Sequence, residues 1–309
     1  MENLIIIGSG PAGLTAGIYS ARALLKPTVI AGTVPGGQLT QTSDIENYPG
    51  FPEPVGGFDL MTAFQKQAER FGAKITYDNV SSVKLSNGGP QEVNLAGGGK
   101  LQTLALIIAT GASPVWLGIE SEKRLMAKGV SACATCDGAF YRNLPVVVIG
   151  GGDTAMEEAL FLTRFASKVT VVHRRDQLRA SKIMADRALH NPKISFEWDS
   201  AVDEITGQNE VDGVILRNIK TGAKKNIECK GYFAALGYNP TTQIFKGLID
   251  MDGVGYISLR NQSSYTSIEG VFAAGDCADH AYRQAVTAAG MGCKAAIDAE
   301  RWLEARHKA

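Results

Sequence analysis

The stretch LIIIGSGPAGLTAG, residues 4–17, reads as a short apolar run, a glycine turn and the start of a helix. Leu4 to Ile7 are aliphatic without a break, which suits a buried strand of a parallel sheet. Gly8, Ser9, Gly10, Pro11, Ala12 and Gly13 spell G-x-G-x-x-G, and Leu14, Ile18, Ala21 and Leu25 then recur at helical spacing. Strand, glycine turn and helix form the setting in which this spacing cradles a dinucleotide. Gly8 permits the tight turn, Gly10 lets the backbone approach a pyrophosphate, and Gly13 lets helix and strand pack closely. The phosphate charge would rest at the helix N-terminus. One part of the pattern is missing. The next strand, PTVIAGT (27–33), ends without an acidic residue for a ribose hydroxyl, so backbone groups of AGTVPGGQ (31–38) are expected to hold it instead.

The unit is repeated at VVVIGGGDTAMEEA, residues 146–159. Val146 to Ile149 form the apolar run, Gly150, Gly152 and Ala155 give G-x-G-x-x-A, and Met156, Ala159, Leu160 and Thr163 continue as a helix. Where an NAD site would end its second strand on an acid, KVTVVHRRD (168–176) carries His173, Arg174 and Arg175, with Arg179 a turn further on. Three guanidinium groups and an imidazole suit a 2′-phosphate, so NADPH is expected over NADH. The plainer reading is a solvated basic edge. Two loops of different chemistry in one chain are most simply a flavin site followed by an NADPH site.

The 309 residues are about twice the ~150 of a single domain, and 45% are hydrophobic, enough for two cores. Lys plus Arg and Asp plus Glu are each 31, so bulk charge points to neither a nucleic acid nor a membrane surface. No apolar run approaches a membrane span, and MENLIIIGSG shows no basic leader or cleavage site. Five cysteines, an odd number, fit a reducing cytoplasm better than a secreted disulfide framework. Three further strand-like runs end in glycine: ALIIATGASP (105–114), GYFAALGYNP (231–240) and GVFAAGDCAD (270–279). The proline-bearing ends of the first two mark boundaries. The expected fold is therefore α/β, two Rossmann-like domains, with an NADPH-binding domain (114–242) inserted into a discontinuous FAD-binding domain (1–113 and 243–309). Residues 85–102, polar and rich in glycine, are expected as hairpins on the flavin domain. The C-terminal helix, from about Gln284 to Arg306, carries small residues at Ala285, Ala288, Ala289, Gly290 and Gly292, allowing close approach to a cofactor or sheet.

Residues 131–138, SACATCDG, place Cys133 and Cys136 two residues apart with Asp137 directly after. A structural zinc needs four ligands, usually from two half-sites, and the chain has no second pair and no H-x3–5-H spacing among its four histidines, so no metal is expected. A staple over so short a loop gains little by chain entropy. A redox pair remains, in which one thiolate attacks a substrate disulfide and the other resolves it. Asp137 is either the acid–base group accompanying that exchange or simply a turn residue before Gly138. Cys229 and Cys293 read as small buried hydrophobes.

Taken in order, GSGPAG, ATGA, CATCDG, GGGDTA, HRRDQLR and GVFAAGDC…YRQAVTAAGMGC resemble the bacterial-type, low-molecular-weight thioredoxin reductases, a family of FAD-dependent pyridine nucleotide-disulfide oxidoreductases, from Ile5 to Trp302. The larger, glutathione-reductase-like enzymes instead place C-x4-C after the first glycine loop, where this chain has none. The resemblance implies a cytoplasmic homodimer that passes electrons from NADPH through FAD to thioredoxin. It implies flavin contacts from Gly8, Ser9, Gly10, Pro11, Ala12, Gly13, Ala31, Gly32, Gly36, Gly37, Gln38, Leu39, Asn47, Ala109, Thr110, Gly111, Gly275, Asp276, Arg283, Gln284 and Ala285. It implies NADPH contacts from Gly150, Gly151, Gly152, Asp153, Thr154, Ala155, His173, Arg174, Arg175 and Arg179. Cys136 would take electrons from the flavin, Cys133 would exchange with the substrate, and Asp137 would move the proton. Cys277, beside Asp276, departs from the expected pattern without touching a catalytic position.

The pair lies just ahead of Gly150, so it belongs with NADPH while the flavin belongs to the other domain. Rotation about the two crossings would let nicotinamide and disulfide take turns. Rival readings are a dithiol oxidase or a peroxiredoxin-system reductase on the same scaffold, and a non-catalytic NADPH-sensing module with a structural C-x2-C. The HRR set weighs against the oxidase.

Overall fold

Strand Glu2–Ile7 is the centre of the first sheet because both of its faces are apolar. Leu4 and Ile6 point to one side, where they join Ala105, Ile107, Ala12, Ala16 and the small residues Ala288, Ala295, Ala296 and Ala299. Ile5 and Ile7 point to the other, with Ile30, Leu106, Ile108, Val93 and Phe245. A strand covered on both faces has no reason to alternate. Each such aliphatic side chain, wholly removed from water, contributes about 2 kcal/mol.

The computed structural model describes residues 1–42, 44–261 and 263–307, and these form two compact units. Unit one comprises Met1–Ser113 with Asn239–Ala309, and unit two Pro114–Tyr238. The chain crosses between them twice, in the extended segments Ala112–Pro114 and Tyr238–Pro240. The second boundary falls at Tyr238/Asn239, ahead of the expected 242/243. By Thr241 the chain is already tied into unit one, its N–H donating to the Gly111 carbonyl at 2.9 Å.

In unit one the strands Lys74–Thr76, Thr28–Ile30, Glu2–Ile7 and Lys100–Ile108 run parallel in that spatial order, and Val271–Ala273 adds parallel to Lys100–Ile108. Ile7, Ile30, Ile108 and Ala273 share one register level at the carboxyl edge. Gly8, Gly32, Gly111 and Gly275 follow just beyond it, all with positive φ. This edge, beside the central strand where the order reverses, is where open α/β sheets bind ligands. The expected hairpins over 85–102 are two, Val80–Lys84 against Gln91–Leu95 and Gln91–Leu95 against Lys100–Ile108, so their strands reach beyond that stretch. Helices Pro11–Arg22 and Ala285–His307 pack together so closely that a Cβ on Gly292 would lie 2.1 Å from the Ala12 carbonyl oxygen.

Unit two repeats the plan with strands Val130–Ser131, Gly231–Ala234, Pro145–Ile149, Lys168–Val172 and Ile194–Glu197, all parallel. Val146 and Val148 face one core, Val147 and Ile149 the other. An antiparallel sheet, Ser200–Thr206, Gly213–Asn218 and Lys224–Glu228, follows in the chain. Among the described residues no helix is long and apolar enough to cross a membrane.

Candidate active site

Three constellations carry chemistry, the glycine loop of unit one and two in unit two. In unit one the turn after Ile7 is closed by the Gly8 N–H donating to the Ile30 carbonyl at 2.8 Å. Gly8 has φ +111°, and a Cβ there would lie 2.2 Å from the Ala109 oxygen. A Cβ on Gly13 would lie 1.9 Å from the Gly8 oxygen, yet one on Gly10 would meet nothing within 4 Å. Gly10 is also the N-cap of helix Pro11–Arg22, and no side chain caps that end. Its first N–H groups are thus available to an anion. The first and third glycines are required by the protein itself; the second faces open space that a ligand can enter.

Other predicted residues gather around this turn. The Ser9 hydroxyl donates to the Ala31 carbonyl at 2.8 Å and accepts from the Gly36 N–H at 2.9 Å. Gly37 lies against Gly10, with a Cβ there 3.0 Å from the Gly10 Cα. Asn47 donates from Nδ2 to Gln284 Oε1 at 3.4 Å, joining two segments far apart in sequence. Asp276 begins the loop beyond Val271–Ala273, and burial, with the charge of Asp279 behind it, pushes its carboxyl up to about 6. A half-buried carboxylate of that kind is an acceptor for hydroxyl donors. Cys277 beside it is fully buried and its thiol is pushed up to about 11 by burial, so it is packing rather than chemistry. Cys229 is likewise buried, whereas Cys293 is half-buried.

The second glycine loop follows the same logic. A Cβ on Gly150, at φ +148°, would lie 2.4 Å from the Ala235 oxygen, and one on Gly152 would meet nothing within 4 Å. Gly152 caps helix Asp153–Leu162 without a side-chain cap, and Thr154 and Ala155 lie in its first turn. The segment after strand Lys168–Val172 is tied to this loop. The Gly151 carbonyl accepts from the Arg179 and Ala180 N–H groups at 2.7 and 3.1 Å. Asp153 accepts from the Ser181 N–H at 2.8 Å, which holds its carboxyl below the usual range. Arg174, Arg175 and Arg179 thereby line one cleft of about 510 Å³ together with Asp176, Asp199 and Lys220. His173 does not line it. Its ring is 5% exposed and lies beneath Gly151, where a Cβ would come within 2.4 Å of the imidazole. Burial, backed by the neighbouring arginines, lowers its pKa. Lys220 and Asp199 carried no signal in the sequence.

The third constellation is the cysteine pair, also in unit two. Cys133 and Cys136 are joined by a disulfide, with Cα atoms 5.3 Å apart. Cys133 caps, and Cys136 lies within, a single helical turn, Ala134–Asp137, in which the Cys136 and Asp137 N–H groups both donate to the Cys133 carbonyl, at 3.2 and 3.1 Å. Ala134 is buried and Gly138 packs on Phe161 and Leu162, so the turn rests on the helix that begins at the second glycine loop. Both cysteines are half-buried, and Thr135 between them is exposed, its hydroxyl 3.3 Å from Cys133 Sγ. The Ser131 hydroxyl accepts from the Cys133 N–H at 3.0 Å, a contact the sequence reading passed over. Burial raises the Asp137 carboxyl, against the opposing pull of a hydrogen bond with Ser131. Among the described residues no group of His, Cys, Asp or Glu could hold a metal ion.

The Asp137 shift has a stability consequence. A carboxyl raised in the fold contributes stability below its unfolded pKa and loses it as pH rises through the folded value. Asp137→Asn, which cannot ionise, is therefore expected to melt above wild type at neutral pH, the gap closing as pH falls into the ordinary carboxylate range. Melting curves of both proteins from about pH 4 to pH 8 check this; a gap that did not change with pH would refute it.

Residues 2–292 match the family model of the pyridine nucleotide-disulphide oxidoreductases. The chain is 52% identical over 306 residues to the thioredoxin reductase of Streptomyces clavuligerus, covering 99% of this chain and 95% of that one. It is 50% identical to the bifunctional thioredoxin reductase/thioredoxin of Mycobacterium leprae, covering 98% of this chain and 66% of that one. The crystal structure of thioredoxin reductase from Streptococcus pyogenes superposes with a TM-score of 0.94 at 42% identity, covering 99% of each chain.

Proposed function

The chain belongs to the pyridine nucleotide-disulphide oxidoreductases, and within them to the thioredoxin reductases, and from this we propose that it carries electrons from NADPH, by way of FAD, to the Cys133–Cys136 disulfide and on to a thioredoxin. The observation that carries the reading is the pair itself: a half-buried disulfide on a one-turn helix whose Thr135 is exposed, packed on the helix of a nucleotide loop. The relative in which a thioredoxin reductase is fused to a thioredoxin supports the choice of partner.

The flavin is assigned to unit one. Its pyrophosphate would enter the space before Gly10, its ribose the segment Ala31–Leu39, and its hydroxylated chain the Asp276 carboxylate. Thr110, Gly111, Gly275, Asn47, Arg283, Gln284 and Ala285 are assigned to the rest of it. NADPH is assigned to unit two, with its pyrophosphate before Gly152 and its 2′-phosphate in the cleft of Arg174, Arg175 and Arg179. His173 supports the loop from beneath at Gly151. Bound there, NADPH would supply a hydride and FAD would supply the electron pair for the disulfide.

The protein's own part is thiol chemistry. Two electrons and two protons convert the disulfide to two thiols, and the Cys133 thiolate attacks the thioredoxin disulfide to form a mixed disulfide. Cys136 then attacks Cys133 Sγ, releasing reduced thioredoxin and restoring the pair. Asp137, with its proton affinity raised by burial, holds and returns the proton at the Cys136 sulfur. The extended crossings Ala112–Pro114 and Tyr238–Pro240 are the hinge about which nicotinamide and disulfide take turns. The assembly is a cytoplasmic homodimer.

Anaerobic titration with NADPH tests the reading. The flavin colour is expected to bleach and to return on addition of oxidised thioredoxin. A flavin that stays reduced in its presence overturns the reading.

A further inference from the structure

We propose that Lys220 is a positioning residue for 2′-phosphate selectivity, acting by pairing with the carboxylates of Asp176 and Asp199 that line the arginine cleft, so that neither is left free to face the ligand. The inference rests on the assignment of that cleft to the NADPH phosphate and goes beyond the arginine set. The cleft is lined by four cations, Arg174, Arg175, Arg179 and Lys220, but also by two acids, Asp176 and Asp199. Acids in an anion site repel the ligand and compete for the guanidinium groups. Here both are paired within the cleft by one lysine. Lys220 Nζ lies 2.9 Å from Asp199 Oδ2 and 3.4 Å from Asp176 Oδ2.

The placement of Lys220 is built by backbone, not left to a flexible stem. Lys220 sits in the turn joining strands Gly213–Asn218 and Lys224–Glu228, where Asn218 Oδ1 accepts the N–H groups of Lys220 and Thr221, both at 3.0 Å. Asp199 fastens this turn to the arginine segment. Its carbonyl accepts from the Ile219 N–H at 2.7 Å, and its own N–H donates to the Arg175 carbonyl at 3.3 Å. Asp199 holds φ +48° to do so, a conformation that aspartate and asparagine tolerate better than most residues. The small antiparallel sheet thus delivers a cation to a site otherwise made by the parallel one. Surface pairs of this sort add little to stability, so the consequence is electrostatic: with Lys220 neutral, two free carboxylates face an incoming dianion.

Calorimetric binding of adenosine 2′,5′-bisphosphate and of 5′-AMP to the flavin-loaded protein tests this without turnover. Lys220→Gln is expected to weaken the bisphosphate about tenfold while 5′-AMP changes little. Lys220→Arg is expected to restore the wild-type ratio. Asp176→Asn and Asp199→Asn combined with Lys220→Gln are expected to recover most of the loss, since the carboxylates are then gone. An unchanged ratio in Lys220→Gln, or no recovery in the triple variant, overturns the proposal and leaves the NADPH assignment standing. Equal binding of the two probes by wild type overturns the assignment and the proposal with it.

Discussion

Cys136→Ser is expected to take NADPH-dependent thioredoxin reduction below about a thousandth of wild type, as loss of an essential nucleophile does. A serine hydroxyl neither forms a disulfide nor resolves one, so the Cys133 thiolate can attack a partner once and go no further. The loss is not one of folding. The pair closes a loop with a sequence separation of 3, where chain entropy gives a cross-link its smallest effect. Every residue assigned to the flavin lies in the other unit, so the variant should keep its colour and still bleach with NADPH. Thiol titration gives an independent readout. Cys229 and Cys277 are buried, so NADPH should expose two new reactive thiols in wild type, whereas in the variant Cys133 is reactive from the start. Thioredoxin reduction that survived the substitution would remove the pair from the reaction.

Much of this was legible in the chain because it depends on local rules. The unbroken runs Leu4–Ile7 and Val146–Ile149 announce strands covered on both faces, and the two covering cores are there. The glycine spacing announces which position touches protein and which faces open space. His173 was harder. Grouped by charge with Arg174 and Arg175, it read as a phosphate ligand, yet strand alternation sets it on the Val169 and Val171 side, under the loop it supports. The resemblance gave Asn47 and Gln284 each as a flavin contact, but nothing in the sequence links the two to one another. Lys220 was invisible for a different reason. Its role depends on a hairpin turn docking through Asp199 onto a segment some 44 residues upstream of Lys220, a tertiary event with no periodic trace.

The first glycine loop makes the second large prediction, in a pair of substitutions that look alike and should fail differently. Gly13→Ala places a methyl carbon 1.9 Å from the Gly8 carbonyl oxygen, a backbone atom held by its own strand turn. Strand and helix must part, and a cost of about 3 kcal/mol is expected, lowering the melting temperature by about 10 °C whether or not flavin is present. Gly10→Ala meets nothing within 4 Å and its φ of −70° suits any residue. The flavin-free variant should therefore melt with flavin-free wild type. The methyl instead occupies the space assigned to the pyrophosphate, at the uncapped helix end, so flavin affinity should fall by at least about a hundredfold. Scanning calorimetry of the stripped proteins, followed by flavin titration, separates the two. If Gly10→Ala were to hold flavin as tightly as wild type, the pyrophosphate would not lie at this helix end. If Gly13→Ala were to melt with wild type, the contact between strand and helix would not be what requires the third glycine.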